Sequence, residues 1–426
     1  MKTSVILFMA LLSTSARANP PETITLQDVT KRVSESNFAV YQNAIRVYQA
    51  KESIKAARGN LLPHLNLWDI AGAAADIYTG GGTGGAGVVG LISDIVPFLI
   101  PANWFRVQEV KLLYQADQLG YQALWANELM SAKALYMHVV LDQSLRENIL
   151  HNIEEVSNIH KIVQMRELLG GAPQGSAREI EIRLLALQED KRSMEVLLQE
   201  ELSQLSFAMG MPAQTTLELT QIDLPNMATL EPLNYDDFEF RAVDSAPEIN
   251  QYDYFIEASD YVRRETMYSF LGASSMSRGA GGGVFDNIPV TPGLGFGTAP
   301  SMRIVSAQKD ILKLQKLGAE EVIKRQLKLL VNNYNLDLEN YRNLKKRTEL
   351  AKAALKQLFE RLSMGENFDM LTLVEASRNH LSAAISFYSV QYRFLLNEDR
   401  LARLIFHGDY GKLPNAKEQI EEGRKP

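Results

Sequence analysis

Four long runs without glycine or proline constrain this chain more than any other feature. They cover residues 121–169, 176–209, 319–364 and 366–407. The runs are roughly 34 to 49 residues long, whereas an average helix in a globular protein has about 11 to 12. Within them apolar residues recur every three or four positions, which is the period of an amphipathic helix. Patterns of this length predict a coiled coil or a helical repeat, not short helices joined by loops.

The third run shows this periodicity most clearly. Charged residues flank its predicted apolar stripe and are expected to face solvent. A helix with such a stripe has to bury it against another element. The stripe consists of Leu336, Leu338, Tyr341, Leu344, Leu350, Ala354, Leu355, Leu358, Phe359 and Leu362.

The order of the elements is repeated along the chain. Residues 24–57 align without gaps on residues 233–266, so that Asp28 corresponds to Asp237. Each aligned segment is followed by a glycine-rich stretch, a long run, a glycine-containing turn and a second long run. A fixed order of parts that occurs twice indicates a structural duplication. We expect a first repeat at 19–210 and a second at 233–408, joined by a proline-containing connector at 211–232.

The glycine-rich stretches at 65–107 and 270–305 are each predicted to hold two strands of about ten residues, the length that a transmembrane β-strand requires. Four strands per chain cannot close a barrel, and an open sheet edge in lipid leaves backbone groups unpaired. The segments therefore predict a barrel that several chains share. Because glycine weakens strands, a reduced or absent barrel is the alternative.

Both ends of the sequence differ in composition from the repeats. Residues 1–18 are predicted to be a signal peptide, with Lys2 before a short apolar stretch and a small-residue cleavage site that ends at Ala18. Residues 409–426 have few apolar side chains and mixed charge, which predicts a flexible tail.

Composition argues against several classes of function. The chain has 44 Lys and Arg against 51 Asp and Glu, a formal net charge of −7, which disfavours a nucleic-acid partner. It has no cysteine, and therefore neither disulfides nor thiolate chemistry. Its histidines show no pair at zinc-ligand spacing, and no set of nucleophile, base and orienting residue is found. We expect no enzyme activity, no cofactor and no metal.

A series of motifs carries a resemblance to a known family. In chain order they are "ITLQDVTKRVSESN", "AARGNLLPHLNL", "PANWFRVQ" with its echo "APSMRIVS", "LLGGAPQGSAREIEIRLLA" and "RLSMGENFDMLTLVEA". Their order resembles that of the TolC-type outer-membrane factors of Gram-negative bacteria, over residues 22–408. The resemblance implies a mainly α fold with a small β part. Duplicated helical hairpins would form a trimeric α-barrel, and four strands per chain would contribute to a 12-stranded outer-membrane barrel.

The same resemblance implies a function. The protein would be a homotrimeric exit duct of an efflux or type I secretion system, located in the outer membrane and extending into the periplasm. Its partners would be outer-membrane lipid, a periplasmic adaptor and an inner-membrane pump. The alternative is a periplasmic coiled-coil scaffold that has a reduced barrel and binds partners without conducting.

The two glycine breaks are implied to be turns at the periplasmic tip. Gly170, Gly171, Gly175, Met364 and Gly365 would dock the adaptor, and "SARE" at 176–179 is predicted to be a capping box that restarts the helix. Thr372 lies at a position where the family has an acidic residue, unless Asp369 takes that role. The alternative for Glu179 is a helix-cap side chain, and the alternative for Glu375 is a position on a solvated helix face. The gate residues implied are Glu179, Arg361, Asp369, Thr372 and Glu375.

Overall fold

The computed structural model describes residues 22–62, 97–212, 215–269, 284–285, 288, 296–364, 366 and 370–412. Eight α-helices and two three-residue strands, with short 3-10 turns, account for most of these residues. The strands are β1 (Glu22–Ile24) and β2 (Leu217–Leu219). The helices are α1 (Leu26–Ser36), α2 (Phe38–Gly59), α3 (Pro101–Leu168), α4 (Ser176–Ala208), α5 (Asp236–Asp244), α6 (Pro247–Tyr268), α7 (Thr298–Ser363) and α8 (Met370–Leu404).

The four long runs fold as the four longest helices of the described chain, and the prediction of a mainly helical fold is confirmed. Helices α3 and α7 have 68 and 66 residues, and α4 and α8 have 33 and 35. The first and third helices begin earlier than the runs, because they continue through Gly120 and Gly318. A glycine costs about 1 kcal/mol in a helix relative to alanine, which tertiary packing of a long amphipathic helix outweighs.

The aligned segments at the start of each repeat form matching helix pairs. Helices α2 and α6 both have 22 residues, and the sequence alignment sets Phe38 opposite Pro247. A capping box between Thr25 and Asp28 begins α1, and Pro247 occupies the first turn of α6, where a proline is well tolerated.

The chain divides into two compact units. The described residues of the first fall within 1–38, 128–233 and 332–399. One of its apolar cores joins α7 to α8 through Tyr334, Leu338, Tyr341, Val390 and Phe394. The described residues of the second unit fall within 39–127, 234–331 and 400–426, and its main core includes Leu112, Ala258, Val262, Val305 and Leu312.

A parallel strand pair ties β1 to β2, with Glu22 opposite Leu217. The second of these strands lies inside the predicted connector, where no strand was expected. The Tyr136 hydroxyl of α3 lies 2.6 Å from the Thr220 carbonyl oxygen, beside this pair. Burial of the phenol raises the pKa of Tyr136 to about 12. The connector is therefore anchored to the first unit by backbone and side-chain hydrogen bonds.

Helix α7 carries two apolar stripes where one was predicted. Leu338 and Tyr341 are buried, as expected, but Leu336 and Leu350 are 54% and 61% exposed. These two residues continue, at multiples of seven, a second stripe that begins with the exposed Val322 and Leu329. The prediction merged the stripes because residues two positions apart on a helix were counted as one face, whereas only positions three or four apart share a face.

Several predicted segments lie outside the described residues. They include the signal peptide at 1–18, residues 63–96 and most of 270–295 in the two segments predicted to hold strands, and the tail from residue 413. The described ends of those two segments, 101–107 and 298–305, are helical and belong to α3 and α7. At the start of the predicted tail, Gly408–Gly411 forms a turn in which Tyr410 is buried. None of the helices described has an apolar stretch sufficient to cross a bilayer.

Candidate functional site

The first hairpin turn ends α3 with a Schellman motif. The Gly171 N–H donates to the Arg166 carbonyl oxygen at 2.7 Å, and the Gly170 N–H donates to the Glu167 carbonyl oxygen at 3.2 Å. These are the two hydrogen bonds that define the motif, and it requires a left-handed residue between helix and loop. Gly170 supplies that residue with a φ of 73°. The chain therefore reverses at a position that favours glycine.

A carboxylate from the preceding helix caps the start of α4. Glu167 accepts hydrogen bonds from the backbone N–H groups of Gly175, at 2.6 Å, and Ala177, at 3.1 Å. The predicted capping box of Ser176 and Glu179 is wrong. The N-cap is Gly175, in a left-handed conformation, so Ser176 is already helical and its hydroxyl donates to the Pro173 carbonyl oxygen instead.

These hydrogen bonds set the charge state of the cap. They lower the pKa of Glu167, first through the Gly175 N–H and then through the Ala177 N–H, and the nearby Arg178 adds to the effect. A carboxylate is also favoured at a helix N-terminus by the macrodipole. The turn is thus closed by a charged group that belongs to the opposite arm of the hairpin.

The second hairpin turn repeats the outer hydrogen bond of the first. The Glu366 N–H donates to the Arg361 carbonyl oxygen at 3.2 Å, as Gly171 does to Arg166 in the first turn. The side chains of Arg361 and Glu366 form an ion pair at 2.6 Å. Met364 is 78% exposed at the end of this hairpin. Arginines thus occupy equivalent positions at the two turns.

A shared apolar core lies behind the two turns. It contains residues from all four long helices, which places both hairpins of the first unit against one another. The buried members are Val156, Ile159, Val163, Ile180, Leu187, Leu355, Met370 and Leu373.

A buried polar cluster next to this core links α3 to α8. The Asn152 side chain donates to the Ser377 hydroxyl oxygen at 2.6 Å, and the Ser377 hydroxyl donates to the Glu155 carboxylate at 3.0 Å. Ser377 and Asn152 are 0% and 4% exposed, whereas Glu155 is half-buried at the edge of the cluster. Buried polar groups of this kind fix one packing arrangement, because any shift leaves them unpaired.

The described members of the predicted gate set, Glu179, Arg361, Thr372 and Glu375, lie near the two turns of the first unit. Glu179 and Leu371 line a groove of about 450 Å³ together with residues of the first turn. Thr372 and Glu375 are exposed on the first turns of α8. Asp369 and Gly365, which were predicted to belong to the gate and the docking turn, lie outside the described residues.

Sequence reasoning missed two contributions to this site. Glu167, which caps α4, was not predicted as a cap. The Asn152, Glu155 and Ser377 cluster was not identified, because nothing in the sequence pairs residues so far apart. The available signal was a serine and an asparagine on the apolar faces of otherwise amphipathic helices. Within the described ranges, no group of three or more metal-ligating side chains is found.

Comparison with known proteins shows likeness at the level of structure. No protein-family profile matches the sequence, and no curated protein matches it significantly. Solved structures of outer-membrane channels do match. The OprN channel has a TM-score of 0.70 at 14% identity, covering 90% of each chain.

Two further solved structures give similar values. The Campylobacter jejuni CmeC outer membrane channel has a TM-score of 0.67 at 13% identity, covering 94% of this chain and 89% of that chain. The Vibrio cholerae outer membrane protein VceC has a TM-score of 0.68 at 11% identity, covering 90% and 96%. The resemblance inferred from the order of motifs is confirmed, and the chain has the fold of the TolC-type outer-membrane channels.

Proposed function

We propose that this protein is the exit duct of an efflux or type I secretion system in the outer membrane of a Gram-negative bacterium. Three copies would form a tunnel of 12 helices in the periplasm, and the segments at 65–107 and 270–305 would supply four strands per copy to a 12-stranded barrel. The duct is passive and performs no catalysis. It takes its cargo from an inner-membrane pump through a periplasmic adaptor.

The observation that carries this proposal is the likeness of fold over about nine-tenths of both chains. Every solved structure named above is a channel or protein of the outer membrane, and none is described as an enzyme. Fold alone does not determine function, so the site has to support it as well. The hairpin turns do so, because they present backbone and small residues where a partner can approach closely.

The exposed stripe on α7 supports association of copies. Val322, Leu329, Leu336 and Leu350 leave apolar side chains in water at intervals of seven, seven and fourteen residues, which fit the heptad repeat of a coiled-coil seam. A monomer gains nothing from such a seam, whereas a neighbouring copy would bury it.

The tip of the first unit is proposed to be the gate and docking surface. The gate set is Glu179, Arg361, Asp369, Thr372 and Glu375, and the docking turns carry Gly170, Gly171, Gly175, Met364 and Gly365. The ion pair between Arg361 and Glu366 is exposed and lies within the second turn, and such pairs contribute only about 0 to 1 kcal/mol, so Arg361 can exchange this partner for a carboxylate of a neighbouring hairpin at small cost.

Planar-bilayer recording of the purified full-length protein tests the duct. We expect single-channel events from protein that fractionates with outer membranes and runs as a trimer in light scattering. A folded trimer that gives no events would contradict the proposal and favour the scaffold, which binds partners without conducting.

Two variants of the same protein test the proposed gate and the proposed docking surface. Charge reversal at Asp369 and Glu375 together is expected to raise resting conductance. Bulky residues at Gly171 and Gly365 are expected to abolish adaptor pull-down while the trimer stays folded. Parent-like behaviour of both variants would place gate and docking surface elsewhere.

A further inference from the structure

An open apolar groove lies in the second unit, where the C-terminal end of α2 meets the N-terminal end of α3. Its volume is about 570 Å³, and Leu61, Leu62, Phe98, Trp104 and Val107 provide most of its wall. Val107 is buried and packs against Ala57 and Val110, which form the floor behind it. The groove is therefore part of a packed core and not a gap between loose side chains.

Local hydrogen bonds hold the aromatic wall in place. The Trp104 indole N–H donates to the Phe98 carbonyl oxygen at 2.8 Å, and the Asn103 side chain donates to the Pro97 carbonyl oxygen at 2.9 Å. Because the indole donor is already used within the turn, the exposed part of the Trp104 ring has no polar group left for water. The ring is presented as an apolar surface.

The wall is unusually exposed for its composition. Leu62, Phe98 and Trp104 are 64%, 46% and 50% exposed, and Leu99, which is next to Phe98 in the chain, is 67% exposed. Large apolar side chains that cluster in water, with polar residues at the edge, mark an interaction surface.

Two cations stand at the edge of this groove. Arg58, at the end of α2, and Lys111, in the third turn of α3, line it together with the apolar wall. Among the described residues neither forms an ion pair, and the Lys111 ammonium donates only to the Gln108 side chain, at 3.4 Å. An apolar cavity with unpaired positive charge at its mouth is complementary to an amphiphile with a negative head.

We propose that this groove binds an anionic phospholipid, with an acyl chain against Phe98 and Trp104 and the phosphate at Arg58 and Lys111. The inference rests on the proposed outer-membrane location, which brings the chain into contact with lipid. Tryptophan beside lysine or arginine is the composition of membrane–water interfaces, where the ring lies at headgroup depth and the long cationic side chains extend to the polar layer.

Quenching of tryptophan fluorescence by brominated lipid tests the site in the full-length protein. Vesicles of dioleoyl phosphatidylglycerol are compared with dioleoyl phosphatidylcholine, each with and without bromine on the acyl chains. The Trp104 signal is obtained by subtracting the Trp104→Phe variant, which keeps the wall apolar. We expect the Trp104 signal to be quenched, and more strongly by the anionic lipid.

Charge variants test whether Arg58 and Lys111 cause the preference for the anionic lipid. Arg58→Gln and Lys111→Gln should each weaken the preference for phosphatidylglycerol about fivefold, the effect of one basic residue at a membrane surface. Lys51→Gln and Lys55→Gln, on the same helix but outside the groove, are the matched controls and should leave it unchanged.

The possible outcomes distinguish failure of the lipid site from failure of the proposed duct function. A protein that conducts and fractionates with membranes, but whose Trp104 is not quenched, overturns the lipid site and shows that the groove is covered by another part of the assembly. Equal quenching by both lipids, unaffected by Arg58→Gln and Lys111→Gln, also overturns it. A protein that fails to conduct, yet shows charge-dependent quenching of Trp104, contradicts the duct and supports the groove.

Discussion

The two adjacent glycines of the first turn have different conformations, and alanine substitution separates their roles. Gly170 has a φ of 73°, whereas Gly171 does not have a positive φ, and a Cβ there would meet only the Arg166 carbonyl oxygen at 3.6 Å. A non-glycine residue in the left-handed region costs about 1 to 2 kcal/mol. We expect Gly170→Ala to lower the free energy of unfolding by that amount in urea titration. Gly171→Ala is the control and should be neutral or slightly stabilising. Equal losses in both variants would contradict the assignment.

The cap formed by Glu167 predicts a dependence on acid. Its pKa is lowered in the folded protein from a usual value of 4.5, so the stabilisation is fully present above that value and is lost as pH falls through the folded pKa. Glu167→Gln should be less stable than the parent at pH 7. The difference in urea midpoint between Glu167→Gln and the parent should become smaller as the pH falls into the acidic range. Glu179→Gln, which removes a nearby exposed carboxylate, should show no such convergence.

A constant difference between the Glu167 variant and its parent at every pH would mean that the side chain acts through shape and not through charge. This residue also shows where prediction from sequence stops. The letters of 176–179 fit a capping box, but the left-handed Gly175 moves the helix start by one residue. A residue of the other arm then supplies the acceptor, and sequence spacing cannot reveal a contact across a turn.

At the scale of elements, a pair of carboxyl groups joins α3 to α4. The carboxyl groups of Asp142 and Glu201 lie close enough to interact, and Glu201 has a buried oxygen without a hydrogen-bond partner in the described structure. Burial, together with the Asp142 charge, raises the pKa of Glu201 to about 7. Burial also raises the pKa of Asp142, and His138, one turn before it on the same helix, opposes that rise.

Glu201 changes stability with pH in the direction opposite to Glu167. A carboxyl group with a raised folded pKa contributes stability that is present below its usual value of 4.5 and lost as pH rises through about 7. The loss should be about 1 to 2 kcal/mol, after allowance for partial exposure of the pair. Urea midpoints between pH 5 and 8 should fall for the parent and stay flatter for Glu201→Gln. Glu189→Gln, an exposed change on the same helix, should follow the parent, and a parent-like slope in Glu201→Gln would refute the coupling.

The positions of the long helices were predictable from the sequence, but the contacts that their faces make were not. Amphipathic period and the absence of glycine and proline located α3, α4, α7 and α8, because both act within one helix. The assignment of Leu336 and Leu350 to the buried stripe was wrong, since a helix with two apolar faces gives one blended pattern. The β1–β2 pair was also missed, because three residues are too few to show a strand period.

At the scale of the whole molecule, the exposed stripe of α7 predicts association. Leu329→Gln with Leu336→Gln should shift the proposed trimer toward monomer in light scattering, at concentrations where the parent stays assembled, because two seam positions become polar. Leu329→Met with Leu336→Met keeps the seam apolar and is the matched control. The circular dichroism of the polar variant should remain helical. An unchanged mass for the polar variant would show that copies meet through another face.

The strand pair that ties Glu22 to Leu217 has a consequence for the order of folding. Helical hairpins close through neighbours along the chain and form early, whereas this pairing joins the start of the first repeat to a point beyond its second long helix. The entropy of closing so long a loop is recovered only after α3 and α4 have packed. β1 therefore gains its partner only after the hairpin of α3 and α4 has formed, and we expect the three-residue pairing to be among the last contacts of the first repeat to form.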